Sequence, residues 1–151
     1  MKLGYVVWLG ENYELGRASR YSELRDMALE AEHAGFDSIW LYDHFLFAFD
    51  GHPIEGIWEG WTMMSALAEA TRQVELGSLV LCNQFRNPAI LAKMAVTLDE
   101  ISNGRLILGE GAGWNQAEFD AFGIPFNRRV DRFEEALQII APLLKEGRVA
   151  C

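Results

Sequence analysis

The stretch VELGSLVLCNQFRNPAILAKMAVTLDEISNGRLILG, residues 74–109, decides the fold class. It begins and ends with apolar runs, residues 74–81 and 105–109, whose Val, Leu and Ile are typical of buried strands. Between the runs, Asn87 and Pro88 supply an N-cap and a first-turn proline for a helix to about residue 101. Strand, helix and strand in this order predict a parallel pair joined by a right-handed crossover.

The same unit recurs toward the N-terminus. Apolar runs from Leu3 to Leu9 and from Ser38 to Tyr42 precede the quoted stretch, so that strands begin about every 35 residues. Helical patterns alternate with the strands at residues 22–34, 61–71, 88–101 and 132–145. Near-continuous apolar strands favour a parallel sheet, because such strands are covered on both faces. The sequence therefore predicts an α/β fold of about four parallel βα units.

Two architectures share this signature, the doubly wound open sheet and the (βα)₈ barrel. A complete barrel needs roughly 250 residues, whereas 151 residues hold four units. If the chain belongs to a TIM barrel, we expect residues 1–151 to be the N-terminal half of it.

Composition excludes several classes of function. The sequence has 13 Lys and Arg against 22 Asp and Glu, a net charge of −9, and so lacks the basic surface that nucleic-acid binding requires. It shows neither a signal peptide nor an apolar run near the roughly 18 residues of a spanning helix. Two cysteines, Cys82 and Cys151, are too few for a zinc cage or a disulfide framework. We expect a cytoplasmic protein that binds neither nucleic acid nor membrane.

Candidate functional residues follow the predicted strands, because both architectures bind ligands at the carboxyl ends of strands. His44 is a candidate proton donor, and Asp43 beside it could fix its tautomer or accept a ligand hydrogen bond. The alternative is a loop histidine that pairs with backbone. Asp43, His44, Asp50 and His52 match no defined metal-ligand spacing, so we expect no metal.

The predicted fourth strand runs into alternating glycines. Gly109, Gly111 and Gly113 would let backbone approach a flat ligand or a phosphate, although tight strand exits also use glycine for structural reasons. Their spacing is not that of a dinucleotide-binding loop. Trp114 would either line a ring pocket or pack under the loop.

Two arginines and a cysteine lie near predicted strand ends. Arg105 begins a strand and is expected to form a salt bridge on the structural face of the fold. Arg86 is expected to form an ion pair, with Asp99 as one possible partner, and anion binding is the alternative. Cys82 is expected to be a small buried side chain and not a nucleophile.

Beyond these patterns, three segments closely resemble the luciferase-like flavin-dependent oxidoreductases. They are GFDSIWLYDHF (35–45), the longer segment from QVELG to FGIPF (73–126), and RRVDRFEEALQII (128–140). The resemblance implies a TIM barrel that binds FMN or the deazaflavin coenzyme F420. It further implies hydride transfer at the ring or, in the FMN branch, oxygen activation and monooxygenation. The stretches EGW…AEAT and GIPF…R are more similar to the deazaflavin-using branch.

Matched position by position, the resemblance implies a catalytic residue and a set of cofactor contacts. The family's DH after strand two falls on Asp43 and His44, and the histidine would be catalytic, facing the reactive ring. Leu79 and Val80 fall where relatives carry a bulge, often with a non-proline cis peptide bond behind the ring. The implied cofactor-binding residues are Asp43, Leu79, Val80, Cys82, Ala112 and Gly113.

The sequence departs from the family in two ways. Trp114 stands where sugar-phosphate dehydrogenases of this family carry a catalytic Glu, which argues against that activity. Strands five to eight, which supply most contacts to the cofactor's phosphate tail, are not among these 151 residues. We therefore expect residues 1–151 to be the N-terminal part of a luciferase-like domain and to be inactive alone. We also expect a dimer and a small organic substrate. Alternatives are a non-catalytic half barrel that dimerises as an interaction module and a metal-dependent barrel hydrolase.

Overall fold

The computed structural model describes residues 1–12, 14–48, 51 and 53–147. Its strands are β1 Gly4–Val6, β2 Glu11–Asn12, β3 Arg17–Ala18, β4 Ser38–Leu41, β5 Leu46–Phe47, β6 Glu55–Gly56, β7 Glu75–Ser78, β8 Leu81–Cys82, β9 Leu106–Ile107 and β10 Glu110–Gly111. Its α-helices are α1 Tyr21–His33, α2 Gly60–Ala70, α3 Pro88–Ser102, α4 Gln116–Ala121 and α5 Arg129–Glu146, and Asn83–Phe85 forms a 3₁₀ turn. Within these residues, no helix combines the length and apolar composition that crossing a bilayer requires.

Four strands form one parallel sheet in the order β1-β4-β7-β9. Each strand therefore lies beside the next one along the chain, and α1, α2 and α3 fill the three crossovers. A doubly wound sheet would reverse its strand order, whereas sequential order is that of a (βα)₈ barrel. The predicted parallel α/β fold is confirmed, and its four units correspond to half of such a barrel.

The third and fourth predicted strands are each divided in two. The peptide bond between Leu79 and Val80 is cis and separates β7 from β8, while β8 pairs in parallel with β10 beyond the break. Ser78 Oγ accepts a hydrogen bond from the Gly109 N–H and donates one to the Gly109 carbonyl, each at 2.9 Å. A side chain at position 109 would overlap the Ser78 carbonyl, so only glycine permits this approach.

The hydrophobic core lies between the sheet and helices α1 to α3. Ile39 and Leu76, on neighbouring strands in register, are fully buried against Leu24, Leu67 and Leu98 of the three helices. Burial of each such side chain contributes about 1.5–3 kcal/mol.

The helical spacing of Ala136, Leu137, Ile140 and Leu144 indicates an apolar stripe on α5, and this stripe is only partly covered. Ala136 and Ile140 are buried, whereas Leu137 and Leu144 are exposed. The reason is that α5 packs mainly against α3, at the end of the layer of helices.

The opposite face of the sheet is open. Val6, Trp40, Gly77 and Ile107 lie in one register row across the four strands. The Trp40 indole occupies the space that a side chain at Gly77 would need, and Val6 is 48 % exposed. In a complete barrel this row points into the interior and is covered by the remaining strands.

Arg105, at the amino edge of the sheet, forms no salt bridge with any residue that the structure describes, so that prediction was wrong. Its guanidinium donates to the carbonyl oxygens of Ala68 at 2.7 Å, Val74 at 2.8 Å and Ser102 at 2.6 Å. Burial lowers the pKa of Arg105 below its ordinary value. The side chain ties together the turns that precede β7 and β9, which is a structural role at the predicted face.

Candidate active site

A cavity of about 270 Å³ opens at the carboxyl ends of β4, β8 and β10. Ligand cavities usually span roughly 300–1,000 Å³, so this one suits part of a ligand. Residues predicted from the sequence line much of its wall, namely Asp43, His44, Val80, Cys82, Ala112 and Gly113. Leu79 is joined to that wall through the cis peptide bond.

The Asp43 carboxylate is completely enclosed at the base of this cavity. Arg86 binds it in bidentate fashion, through Nη1 to Oδ2 at 2.7 Å and Nη2 to Oδ1 at 2.9 Å. The Cys82 N–H also donates to Oδ2, at 2.8 Å. Bidentate, charge-assisted pairs of this kind are the strong form of hydrogen bond. Asp43 thus ties the end of β4 to β8, and its contact with a cofactor stays a prediction.

Arg86 forms the predicted ion pair, but Asp99 is not the partner. Its second partner is Glu59, which also caps α2 by accepting from the Thr62 N–H at 2.6 Å. Burial alone would raise the pKa of Glu59, but the hydrogen bonds from α2 and the charge of Arg86 hold that pKa below its ordinary value. Burial alone would lower the pKa of Arg86, yet the bonds to Asp43 raise it.

His44 lies in the cavity wall, and 17 % of its side chain is exposed. Its Nδ1 is 2.9 Å from Oε2 of Glu118, a carboxylate that is almost entirely buried. Glu118 Oε1 accepts hydrogen bonds from the backbone N–H groups of Phe45 at 2.6 Å and Leu46 at 3.3 Å. The histidine therefore pairs with a side chain, and not with backbone as the alternative interpretation had it.

Glu118 was not among the residues predicted from the sequence. It lies 74 positions from His44, so no local spacing connects the two. The one available signal was its place shortly after Gly113, because the segments that follow parallel strands meet at the same edge of the sheet.

Aromatic rings surround the imidazole. Ring centroids of Phe47, Trp114 and Tyr42 lie 4.9, 5.6 and 6.0 Å from that of His44. Trp114 lines the cavity and is 61 % exposed, which favours the pocket-wall interpretation over packing under the loop.

The glycine loop fits closely against β8 and α4. Gly113 has φ +73°, and a Cβ atom there would lie 2.6 Å from Cys82 Sγ and 2.8 Å from the Phe119 ring. Both conformation and space therefore require glycine. Burial raises the pKa of the Cys82 thiol to about 12, so it is neutral at physiological pH. Cys82 is the small buried side chain that was predicted.

Glu110 is a second carboxyl group that the sequence did not single out. Both of its oxygens are buried and have no hydrogen-bond partner within the described residues. Burial and the nearby Asp43 charge raise the pKa of Glu110 to about 7, although Arg86 opposes this. At neutral pH the group is therefore partly protonated. No sequence pattern distinguishes it from an exposed glutamate at a strand end.

The metal-ligand set considered from the sequence is only partly covered by the structure, because Asp50 and His52 lie outside the described residues. Among the residues that the structure describes, no group of three or more His, Cys, Asp or Glu side chains is arranged to hold a metal ion.

Sequential parallel βα units, with a cavity at the carboxyl ends of the strands, define a barrel-type α/β protein with its site at the usual edge. The chain belongs to the luciferase-like monooxygenase family, whose model matches residues 1–151. The family resemblance inferred from the sequence is thereby confirmed.

Two curated relatives illustrate the similarity. The F420-dependent glucose-6-phosphate dehydrogenase of Amycolatopsis mediterranei is 38 % identical over 133 residues, covering 84 % of this chain and 39 % of the relative. The 5,10-methylenetetrahydromethanopterin reductase of Archaeoglobus fulgidus is 34 % identical over 129 residues, covering 85 % and 35 %. The chain thus spans well under half the length of the relatives it matches.

Solved structures are similar over the same share of their length. An F420-dependent secondary alcohol dehydrogenase in complex with an F420-acetone adduct superposes with a TM-score of 0.78 and 28 % identity, covering 96 % of this chain and 42 % of that protein. The FMN-bound oxygenating constituent of 3,6-diketocamphane monooxygenase from Pseudomonas putida gives a TM-score of 0.71 and 25 % identity, covering 91 % and 37 %.

Proposed function

We propose that this chain carries one part of the active site of an F420- or FMN-dependent oxidoreductase that acts on a small organic substrate. One observation carries the proposal. A single cavity brings together His44, the interrupted strand at residues 79–80 and the glycine-rich backbone at 111–113. The F420-dependent relatives support it, and the FMN-bound monooxygenase keeps FMN and oxygen insertion as the second candidate.

The residues present suit one face of a flat ring. Gly111 packs directly against Val80, and Gly113 packs against Cys82 and Phe119, so the backbone there forms a close-packed wall. Val80, which is 45 % exposed, presents an apolar side chain beside it. In the proposal, Leu79, Val80, Ala112 and Gly113 contact the ring and Cys82 touches it as a neutral thiol. Asp43 supports this wall from below through Arg86 and the Cys82 N–H.

When bound, the ring accepts or donates a hydride, so that an alcohol that loses its C–H hydride to the ring and its hydroxyl proton to the protein becomes a ketone. His44 would take that proton at Nε2 and return it when the reaction runs toward the alcohol. A positioned general base of this kind contributes about 10²–10⁴-fold. The aromatic rings of Phe47 and Trp114 around the imidazole would exclude water from the transfer.

The test uses the full-length gene product. F420 and FMN are titrated separately and followed by cofactor fluorescence, and turnover is then measured with a panel of secondary alcohols. We expect one cofactor to bind, and His44→Ala to lower kcat about 100-fold or more with little change in cofactor affinity. His33→Ala, at the exposed end of α1, is the matched control and should retain kcat. Binding of neither cofactor, or full activity of His44→Ala, would refute the proposal.

A further inference from the structure

The buried Glu118 carboxylate determines the orientation of the His44 imidazole in this site. We propose that Glu118 is a positioning residue that fixes the tautomer of His44, with the proton on Nδ1 and the lone pair of Nε2 toward the cavity. The geometric part of the inference stands on the contacts of Glu118, and its catalytic consequence rests on the proposed function.

The hydrogen bonds of Glu118 leave one arrangement for the imidazole. As a carboxylate, Glu118 offers only acceptors, and Oε1 is occupied by the N–H groups of Phe45 and Leu46. Oε2, at 2.9 Å, therefore requires a donor at His44 Nδ1. A neutral imidazole carries a single N–H, so Nε2 is left as the acceptor.

The carboxylate is itself held rigidly. Its neighbour Phe119 is fully buried, and its ring lies beneath Gly113 and against Phe126, with ring centroids 5.1 Å apart. Glu118 also binds the backbone of the two residues that follow His44. It therefore fixes both the ring and the segment that carries it, which is how supporting residues orient a functional histidine.

The choice of tautomer determines which proton transfer can come first. With Nε2 as an acceptor, His44 can take the hydroxyl proton of an alcohol at once. With the proton on Nε2, the ring could only donate toward the cavity. Glu118 thus prepares the site for the oxidative direction, in which the C–H hydride passes to the flavin-type cofactor, the O–H proton passes to Nε2 and a C=O bond is left.

The test is nitrogen-15 NMR of the histidine rings in the cofactor-free full-length protein, in alkaline buffer where imidazole is neutral. The signal of His44 is identified by its loss in His44→Gln. We expect the wild-type ring to carry its proton on Nδ1. In Glu118→Gln, the amide oxygen keeps the Phe45 and Leu46 N–H bonds, so the amide NH₂ faces Nδ1 and the proton should move to Nε2. Glu134→Gln, on the exposed side of α5, should change nothing.

Kinetics provide the second readout. Glu118→Gln should lower kcat for alcohol oxidation about 100-fold with little change in KM, as expected for a histidine in the wrong tautomer. A wild-type proton on Nε2, or a Glu118→Gln proton that stays on Nδ1, overturns the inference. If Glu118→Gln does not fold, the wild-type spectrum alone decides. Failure of the proposed function would give a different result. The tautomer would then respond to Glu118→Gln as expected, whereas His44→Ala would keep full activity or no cofactor would bind.

Discussion

Arg105 and Arg86 lie at opposite edges of the same sheet and have opposite surroundings. At the amino edge, the described contacts of Arg105 are with neutral oxygens of the backbone and of Thr71, and burial lowers its pKa. At the carboxyl edge, Arg86 binds the carboxylates of Asp43 and Glu59, and its pKa is raised despite burial.

The difference shows where this fold concentrates charge. Buried charges destabilise a fold unless they are paired, and the loss of one partner is more harmful than the loss of a neutral hydrogen bond. Arg105 avoids this problem at the amino edge, because the acceptors of its hydrogen bonds are neutral carbonyl and hydroxyl oxygens. The carboxyl edge holds several carboxyl groups beside the cavity, and the dry helix-covered face must supply the stability that permits them.

The largest expected effect is at the carboxyl edge. Arg86→Met removes the partner of the enclosed Asp43 carboxylate and should destabilise the protein by about 3–5 kcal/mol. The measurement is the urea midpoint followed by circular dichroism. Arg25→Met, whose partly exposed side chain pairs with the adjacent Asp26, is the matched control and should change stability by less than about 1 kcal/mol. Equal urea midpoints for Arg86→Met and Arg25→Met would mean that the buried pair stabilises the protein no more than an exposed pair, which would contradict this prediction.

A smaller effect is expected at the amino edge. Arg105→Met removes donors to neutral carbonyl groups, some of which water can replace, and should cost about 2 kcal/mol. Because those acceptors do not titrate, the loss should be nearly the same at about pH 5 and about pH 8. Denaturant titrations at both pH values check this. A loss as large as that of Arg86→Met would show that the neutral acceptors of Arg105 are no less critical than the carboxylate partners of Arg86.

Glu110 permits a test by pH. Its pKa rises from an ordinary 4.5 to about 7 on folding, because the folded state resists ionisation of this group. Stability that is fully present below about pH 4.5 is therefore lost as the pH rises through 7. Glu110→Gln should therefore leave stability nearly unchanged below about pH 4.5 and raise it by up to about 3 kcal/mol at about pH 8. Thermal unfolding across this range, with the exposed Glu100→Gln as control, would show the divergence. Parallel curves of stability against pH for the wild type and Glu110→Gln would contradict this prediction.

The smallest effect is expected for a surface ion pair. Lys2 binds Glu75 at 3.1 Å on the amino edge, but the Lys2 side chain is 73 % exposed. Lys2→Ala should change the free energy of unfolding by less than about 0.5 kcal/mol, as the same denaturant titration will show. A larger loss would mean that ion pairs also support the amino edge.

Local features of the fold were predictable from the sequence. Asn87 caps α3 by accepting from the Ala89 and Ile90 N–H groups at 3.0 and 3.3 Å, and Asn103 ends that helix with φ 58°. Both effects act over a few residues, which is why local patterns reveal them. The break at residues 79–80 was predicted in a different way. The family resemblance indicated it, whereas no local residue propensity did.

The contacts of the candidate site were harder to predict from the sequence. Arg86 meets Glu59 and Asp43 across 27 and 43 positions, and Glu118 meets His44 across 74. The βα pattern predicts that these segments meet at one edge, but not which side chains will reach each other. That choice depends on the interruption of the strand at 79–80 and on the close fit of Gly113 over Phe119, which are tertiary features.

Trp40 and the glycines beside it have a consequence for how this sequence can change. The indole occupies space next to Gly4 on one strand and Gly77 on another, so that a Cβ at either position would collide with it. The three positions share one volume, and their substitutions are epistatic. Position 40 has to become smaller before position 4 or 77 can become larger, because the reverse order passes through an overpacked intermediate. The order in which mutations arise, and not only their identity, decides which sequences this sheet can reach.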